Sequence, residues 1–324
     1  MLPVAAWAFL LVAVAAAGLI ACGGATGLLD SLVSEADAGP GRGPTPELPP
    51  IPTTDGNDEG GSAVTDSAPV AEVGVSDAGA LVEVGPPPHS TDVVTTCAQY
   101  ENVPVGSYVA QADYWNEGNC PGTECMAVNT ATGAFSVTQA PNCGSTVSSY
   151  PNTLYGSSFG STSPGSVLPM QVNALTSVTS SWAFSVGGVS TDQYDVAYDI
   201  WFCPNDACGA SGFSGGTELM IWLDYQNTTG WEQDLGSVTL AGYNWEVWTF
   251  TQGMAGNTWT YLAYLIQPSS VTSVTNLNLL AFFQDAESRG YIQSSWYLYA
   301  VQAGDEIRTG GLPFDSNSFS VSVN

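Results

Sequence analysis

Beyond residue 96 the chain alternates apolar and polar positions in short runs, separated by Gly, Ser, Asn and Pro. The clearest runs are 108–115, 134–139, 180–186, 196–202, 218–223, 245–250, 258–266 and 295–304. A period of two between turn residues predicts strands, because successive side chains of a strand point to opposite faces. Many such strands and few helical patterns predict an all-β fold in which two antiparallel sheets pack as a sandwich. One segment reads differently. In 274–289, Leu277, Leu280, Ala281 and Gln284 recur at helical spacing and the pattern stops before Gly290. A single helix is expected there, packed outside the sheets.

Alternation also sorts the chemistry. In 218–223, Leu219, Ile221 and Leu223 share one face while Glu218, Met220 and Trp222 share the other. In 198–202, Ile200 and Phe202 take the core side and Asp199 and Trp201 the opposite one. Two strands that each offer an acid and a tryptophan on one face suit a sugar cleft: indole rings stack on the apolar C–H faces of sugars, and carboxylates bind hydroxyls. The plain alternative is a Trp-rich satellite core with hydrogen-bonded acids. A second carboxyl comes from 301–307, where Gln302, Gly304 and Glu306 share a face if the strand continues. Gly304 would leave room there for a ligand to approach the backbone.

Composition narrows this picture. Residues 1–21 are almost wholly apolar and lead to Leu19-Ile20-Ala21-Cys22, which resembles a bacterial lipoprotein signal with Cys22 as the lipid-bearing residue. A membrane-spanning anchor is the competing reading. Residues 23–96 are rich in Gly, Pro, Ala, Asp and Glu and hold no aromatic residue, so they are expected to form a disordered tether. The folded domain is expected over 97–324, after a signal at 1–21 and a lipidated tether at 22–96. An exported cell-surface or outer-membrane protein that acts as a monomer is expected.

From residue 97 on, 18 acidic side chains face two arginines, Arg289 and Arg308, and the chain has no lysine. Such a surface repels nucleic acid and anionic membranes but not a neutral polysaccharide. The single histidine is His89, so Ser-His-Asp and Cys-His catalysis and histidine-ligated metal are excluded from the domain. Acid–base work falls to carboxylates, and no metal or cofactor is expected. Besides Cys22, six cysteines remain, an even number that suits an oxidising compartment. Cys203 and Cys208 are expected to close a tight loop. The pairing among Cys97, Cys120, Cys125 and Cys143 stays open, with Cys97–Cys125 and Cys120–Cys143 the expected one.

Taken in order, several motifs in 97–324 resemble glycoside hydrolase family 12, the endoglucanase and xyloglucanase family. They are Tyr108-Val109, Trp115-Asn116, Ser149-Tyr150-Pro151, Leu168-Pro169-Met170, Ala197-Tyr198-Asp199-Ile200-Trp201, Glu218-Leu219-Met220-Ile221-Trp222, Trp245-Glu246-Val247-Trp248, Trp296-Tyr297-Leu298, Gln302-Ala303-Gly304 with Glu306, and Asn317-Ser318-Phe319. The resemblance implies a jelly roll with a concave substrate cleft and retaining hydrolysis of β-1,4-glucosidic bonds in a β-glucan. It implies Glu218 as nucleophile, Glu306 as general acid/base, and Asp199 as the residue that keeps Glu218 correctly protonated. Trp115 would be a stacking platform, Met220 would lie beneath the sugar, and Trp222, Trp201 and Glu246 would line the binding row. Two departures stand out: Asp305 occupies a position that relatives usually give to an aromatic, and Arg308 would favour the ionised form of Glu306 and weaken it as an acid. A non-catalytic carbohydrate-binding jelly roll is the alternative, but it would not need both glutamates. A glutamic peptidase would need a Gln–Glu pair, and Gln302 and Glu246 lack the matching local motifs.

Overall fold

The computed structural model describes residues 92–116, 120–208, 212–230, 232–254 and 256–324. The expected signal, the lipid-bearing Cys22 and all but the last residues of the expected tether lie outside the described residues. In chain order the strands are β1 (Val93–Thr96), β2 (Asn102–Val105), β3 (Tyr108–Gln111), β4 (Cys125–Asn129), β5 (Phe135–Gln139), β6 (Asn152–Ser158), β7 (Ser161–Thr162) and β8 (Met170–Gln171). They continue with β9 (Val178–Val186), β10 (Gln193–Cys203), β11 (Thr217–Gln226), β12 (Gln233–Leu240), β13 (Tyr243–Met254), β14 (Asn257–Gln267) and β15 (Ser273–Asn278). Helix α1 (Leu279–Ser288), β16 (Tyr297–Thr309) and β17 (Phe314–Val323) complete the fold. β1 pairs with β4 and lies ahead of Cys97, so the folded part begins earlier than the aromatic composition suggests.

Two sheets face one another. The smaller runs β1-β4-β5-β17-β9-β15 and the larger β12-β13-β14-β11-β10-β16-β6-β3-β2, with β7 on β6 and β8 on β16. The expected antiparallel pairing holds except between β11 and β14, which run parallel. The β12–β13 hairpin between them supplies the long crossover that a parallel pair requires. The main core lies between the sheets: Tyr198, Ile200 and Phe202 of β10, Leu219, Ile221 and Leu223 of β11, and Val178, Trp182 and Phe184 of β9 belong to one buried cluster. The faces of β10 and β11 are as alternation predicts.

The helix differs from expectation in three ways. Residues 273–278 form a strand, and the helix starts only at Leu279. A bulge between Val274 and Leu277, with Asn276 at φ 51°, turns both apolar side chains to one face at a spacing of three; a bulged strand there mimics helical periodicity. The buried face is Leu279, Phe282, Phe283 and Ala286, and Leu280, Ala281 and Gln284 lie off it. The helix also belongs to the core. Phe282 packs edge-on against Trp245 and Tyr264, and Phe283 against Phe202, all from the inner face of the larger sheet.

The pairs Cys97–Cys125, Cys120–Cys143 and Cys203–Cys208 form as expected. Cys120–Cys143 matters most for the site, because the segment that follows runs along β16. Cys143 N donates to the Arg308 carbonyl, Ser148 N to that of Ile307, Ile307 N to that of Ser149, and Asp305 N to that of Pro151. With β10 on its other edge, this end of β16 is held on both sides.

Candidate active site

The outer face of the larger sheet, turned away from the smaller one, collects the acids. Along β10, Asp195, Ala197, Asp199 and Trp201 point to it. Their partners on β16 are Glu306, Gly304, Gln302 and Ala300. On β11 the partners of Ala197, Asp199 and Trp201 are Trp222, Met220 and Glu218, and the parallel neighbour β14 sets Tyr261, Ala263 and Leu265 beside Glu218, Met220 and Trp222. Glu218, Asp199 and Glu306 therefore share one face of three adjacent strands. Their charges act on one another: Glu306 raises the cost of ionising both Glu218 and Asp199.

The two glutamates have different surroundings. Glu218 is only 8% exposed. Its Oε2 accepts a hydrogen bond of 2.5 Å from Trp259 Nε1. Burial pushes its pKa up to about 8; the indole bond opposes this and the charge of Glu306 adds to it. Asp199 is also buried and accepts from Trp201 Nε1 at 2.8 Å, while its Oδ1 has no hydrogen-bond partner. Burial, then the charge of Glu218, holds Asp199 well above the usual carboxylate range. A neutral Asp199 beside Glu218 adds no charge of its own to the cost of ionising Glu218.

Glu306 is more open, with 16% of its side chain exposed, and Arg308 Nη2 donates to its Oε2 at 3.1 Å. The same guanidinium donates through Nη1 to Asp195 Oδ1 at 2.6 Å, with both side chains almost fully buried. Arg308 does reach Glu306, as the sequence suggests, but it is shared with an acid that the sequence reading omitted.

The expected sugar-binding residues divide. Trp115 is open, 39% exposed, in the turn after β3. Glu246 is partly exposed and pairs across from Leu265, with Gln267 Nε2 at 3.5 Å from its Oε2. Met220 is buried between Asp199 and Ala263. Trp222 is fully buried and Trp201 nearly so; neither offers an open face, which corrects their reading as members of the binding row. Trp222 sits in a cluster with Ala197, Tyr261 and Leu265. Trp201 stacks on Phe213 at 4.4 Å and meets the edge of Phe159. Phe159, 45% exposed, is the ring that faces outward over this pair. Gly304 also has another explanation: a Cβ there would collide with the Pro151 carbonyl oxygen and Asn152. It makes room for the neighbouring backbone, not for a ligand.

Sequence reasoning missed Trp259, Asp195, Tyr261 and Tyr150. Alternation could have found Asp195, since it shares the parity of Asp199. Trp259 and Tyr261 are invisible to it, because only the parallel β11–β14 pairing brings them to Glu218. Tyr150 Oη donates to the Ala197 carbonyl at 2.9 Å, beneath the acids. Among the described residues, no group of three or more His, Cys, Asp or Glu side chains is arranged to hold a metal ion.

Residues 106–324 match the family model for glycosyl hydrolase family 12. The chain is similar to the xyloglucan-specific endo-beta-1,4-glucanase A of Emericella nidulans, 29% identical over 238 residues that cover 70% of this chain and 90% of that one. Among solved structures, the endoglucanase cel12A from Rhodothermus marinus is 36% identical with a TM-score of 0.64, over 71% of this chain and 99% of that one. A metagenome-derived glycoside hydrolase family 12 endoglucanase is 35% identical with a TM-score of 0.65, over 72% and 98%.

Proposed function

The chain belongs to glycosyl hydrolase family 12 and is a glycoside hydrolase of the cellulase type that cleaves β-glucan internally, and we propose that it does so with retention, through Glu218 and Glu306. What supports this reading is the shared outer face on which both carboxyls sit, close enough for the charge of Glu306 to act on Glu218. Retaining hydrolysis asks for one ionised and one protonated carboxyl flanking the bond. The Glu218 carboxylate attacks the anomeric carbon as the glycosidic C–O bond breaks, and the Glu306 proton passes to the departing oxygen. Water then attacks the same carbon, gives its proton to Glu306, and releases Glu218 as carboxylate. Asp199, kept neutral by burial, adds no charge of its own to the cost of ionising Glu218, and the Trp259 N–H stabilises the Glu218 carboxylate. Trp115 and Glu246 would contact the glucan, and Met220, as buried as Trp222, would support the floor beneath it.

The substrate is a β-1,4-linked glucan: cellulose, mixed-linkage glucan or xyloglucan. Reducing-end release from carboxymethylcellulose, barley β-glucan and xyloglucan tests the activity, and the anomeric form of the first product, read by NMR, tests retention. Failure to cleave any of the three, or inverted product, would overturn the reading. Export fits three disulfides in the domain. A lipid on Cys22 would tether a monomeric enzyme to the cell surface. Equal fatty-acid labelling of the wild type and Cys22→Ser would remove the anchor.

A further inference from the structure

Arg308 is 1% exposed and cannot give up its proton, so its charge must be balanced inside the protein. Two carboxyls do this from opposite sides. Asp195 takes Nη1 at 2.6 Å and Glu306 takes Nη2 at 3.1 Å, one guanidinium nitrogen each. With both acids ionised the trio carries a net negative charge in a buried setting that already holds Glu218 and Asp199. With one proton on the pair the trio is neutral.

We propose that the general acid of this site is not Glu306 alone but Glu306 paired with Asp195 across Arg308, the two carboxyls holding one proton between them. This rests on the assignment of Glu306 as acid/base. Asp195 touches no substrate and is a positioning residue: it takes up part of the Arg308 charge, so that Glu306 is anchored by the guanidinium and still has a proton to give. When Glu306 protonates the leaving oxygen, both carboxylates remain on the fork; the water of the second step returns the proton. The segment that includes Ser149 and Pro151 fixes the backbone of β16 at this point, so the fork cannot drift from the cleft.

The charged and titratable groups around Glu306 set the balance. They are Arg308 on its own strand, Asp195 and Asp199 on β10, Glu218 on β11, Tyr261 on β14, Tyr150 from the segment before β6, and Asp305 next to it in sequence. Burial and the Glu306 charge both disfavour ionised Asp195, and Arg308 opposes them, as a shared proton requires.

The pH profile of kcat/KM on barley β-glucan tests this. In Asp195→Asn, Glu306 is the only counter-charge left for Arg308 and is held ionised. The alkaline limb is expected to move down by at least about one pH unit, with a loss of about tenfold or more at pH 7. An aryl β-cellobioside with a strongly acidic leaving group needs no proton and should lose far less. Arg308→Met should move the alkaline limb upward. In the wild type, 13C titration of the carboxyls should find the Asp195 and Glu306 signals moving together over one pH range. A limb unmoved in a folded Asp195→Asn enzyme, or a Glu306 titration with no inflection at Asp195, overturns the proposal. The NMR arm needs no variant to fold. A wild type without β-glucanase activity would instead overturn the catalytic assignment and leave the shared proton to be judged by NMR alone.

Discussion

Strands β10, β11 and β16 are buried on both faces, and the two faces are built from opposite chemistry. The inner face carries Tyr198, Ile200, Phe202, Leu219, Ile221, Val301 and Ile307. The outer face carries Asp195, Asp199, Glu218, Glu306 and Arg308 within the same stretches. Depth below solvent does not separate core from site here, since Glu218 and Asp199 are as hidden as many core residues. The separation lies in partners. Each outer acid is tied to an indole N–H or a guanidinium and coupled to another acid. A buried carboxyl held this way is costly for stability and useful for chemistry.

Removing Glu218 should give the largest effect. Glu218→Gln keeps the shape and discards the charge. Activity on β-glucan is expected to fall by about a thousandfold or more. Stability at pH 8 should hold or rise, because the wild-type carboxyl is pushed up to about 8 by burial and ionises there at a cost. Loss of activity together with loss of fold would instead mark Glu218 as a core residue.

Glu306→Gln should come next, with a drop of about 10²- to 10⁴-fold on glucan. The loss should shrink sharply on an aryl cellobioside with an acidic leaving group. The same loss on both substrates would contradict an acid role.

Trp259→Phe keeps the packing and deletes the donor to Glu218. A hydrogen bond to a charged group contributes about 1.5–3 kcal/mol, so a fall of roughly 10- to 100-fold in kcat/KM is expected. The bond favours the ionised form of Glu218; without it, the acid limb of the pH profile should move to higher pH. An unmoved acid limb would mean that the indole only packs.

Alternation in 196–202, 218–223 and 301–307 made the faces of β10 and β11 and the place of Glu306 legible in the sequence, and the family resemblance supplied the roles of the two glutamates. Less legible were contacts that depend on which strands become neighbours. Trp259 reaches Glu218 because β14 lies parallel to β11, a pairing across many residues that local pattern does not encode. Trp201 and Trp222 read as part of the binding row because alternation gives the face and not the cover; Phe159 and Phe213 cover Trp201, and Tyr225 packs against Trp222. The helix starts later than local spacing predicts because the bulge at Asn276 imitates helical spacing.

Asp305 crosses the divide between the faces and offers the mildest test. It lies on the inner parity of β16, opposite Val196, fully buried, and neither carboxyl oxygen has a hydrogen-bond partner. Burial holds its pKa well above the usual carboxylate range, with Arg308 opposing. The folded state thus keeps a proton on Asp305 that the unfolded chain releases near pH 4. Its neutral form is compatible with the fold below that pH, and stability is lost as pH rises toward the folded-state pKa. Glu124, pushed up to about 8 by burial, acts in the same direction. Urea unfolding at pH 5, 6, 7 and 8 should therefore find the wild type most stable at pH 5. Asp305→Val replaces an unpartnered carboxyl with an apolar group of similar size. It should gain about 1–3 kcal/mol at pH 7 and flatten the pH slope by up to about 1.4 kcal/mol per unit. Activity should change less than in any variant above, because this side chain points away from the acids. A destabilised Val variant with an unchanged slope would mean that Asp305 is held as a partnered anion, and that the inner face is not the uniform apolar surface that alternation describes.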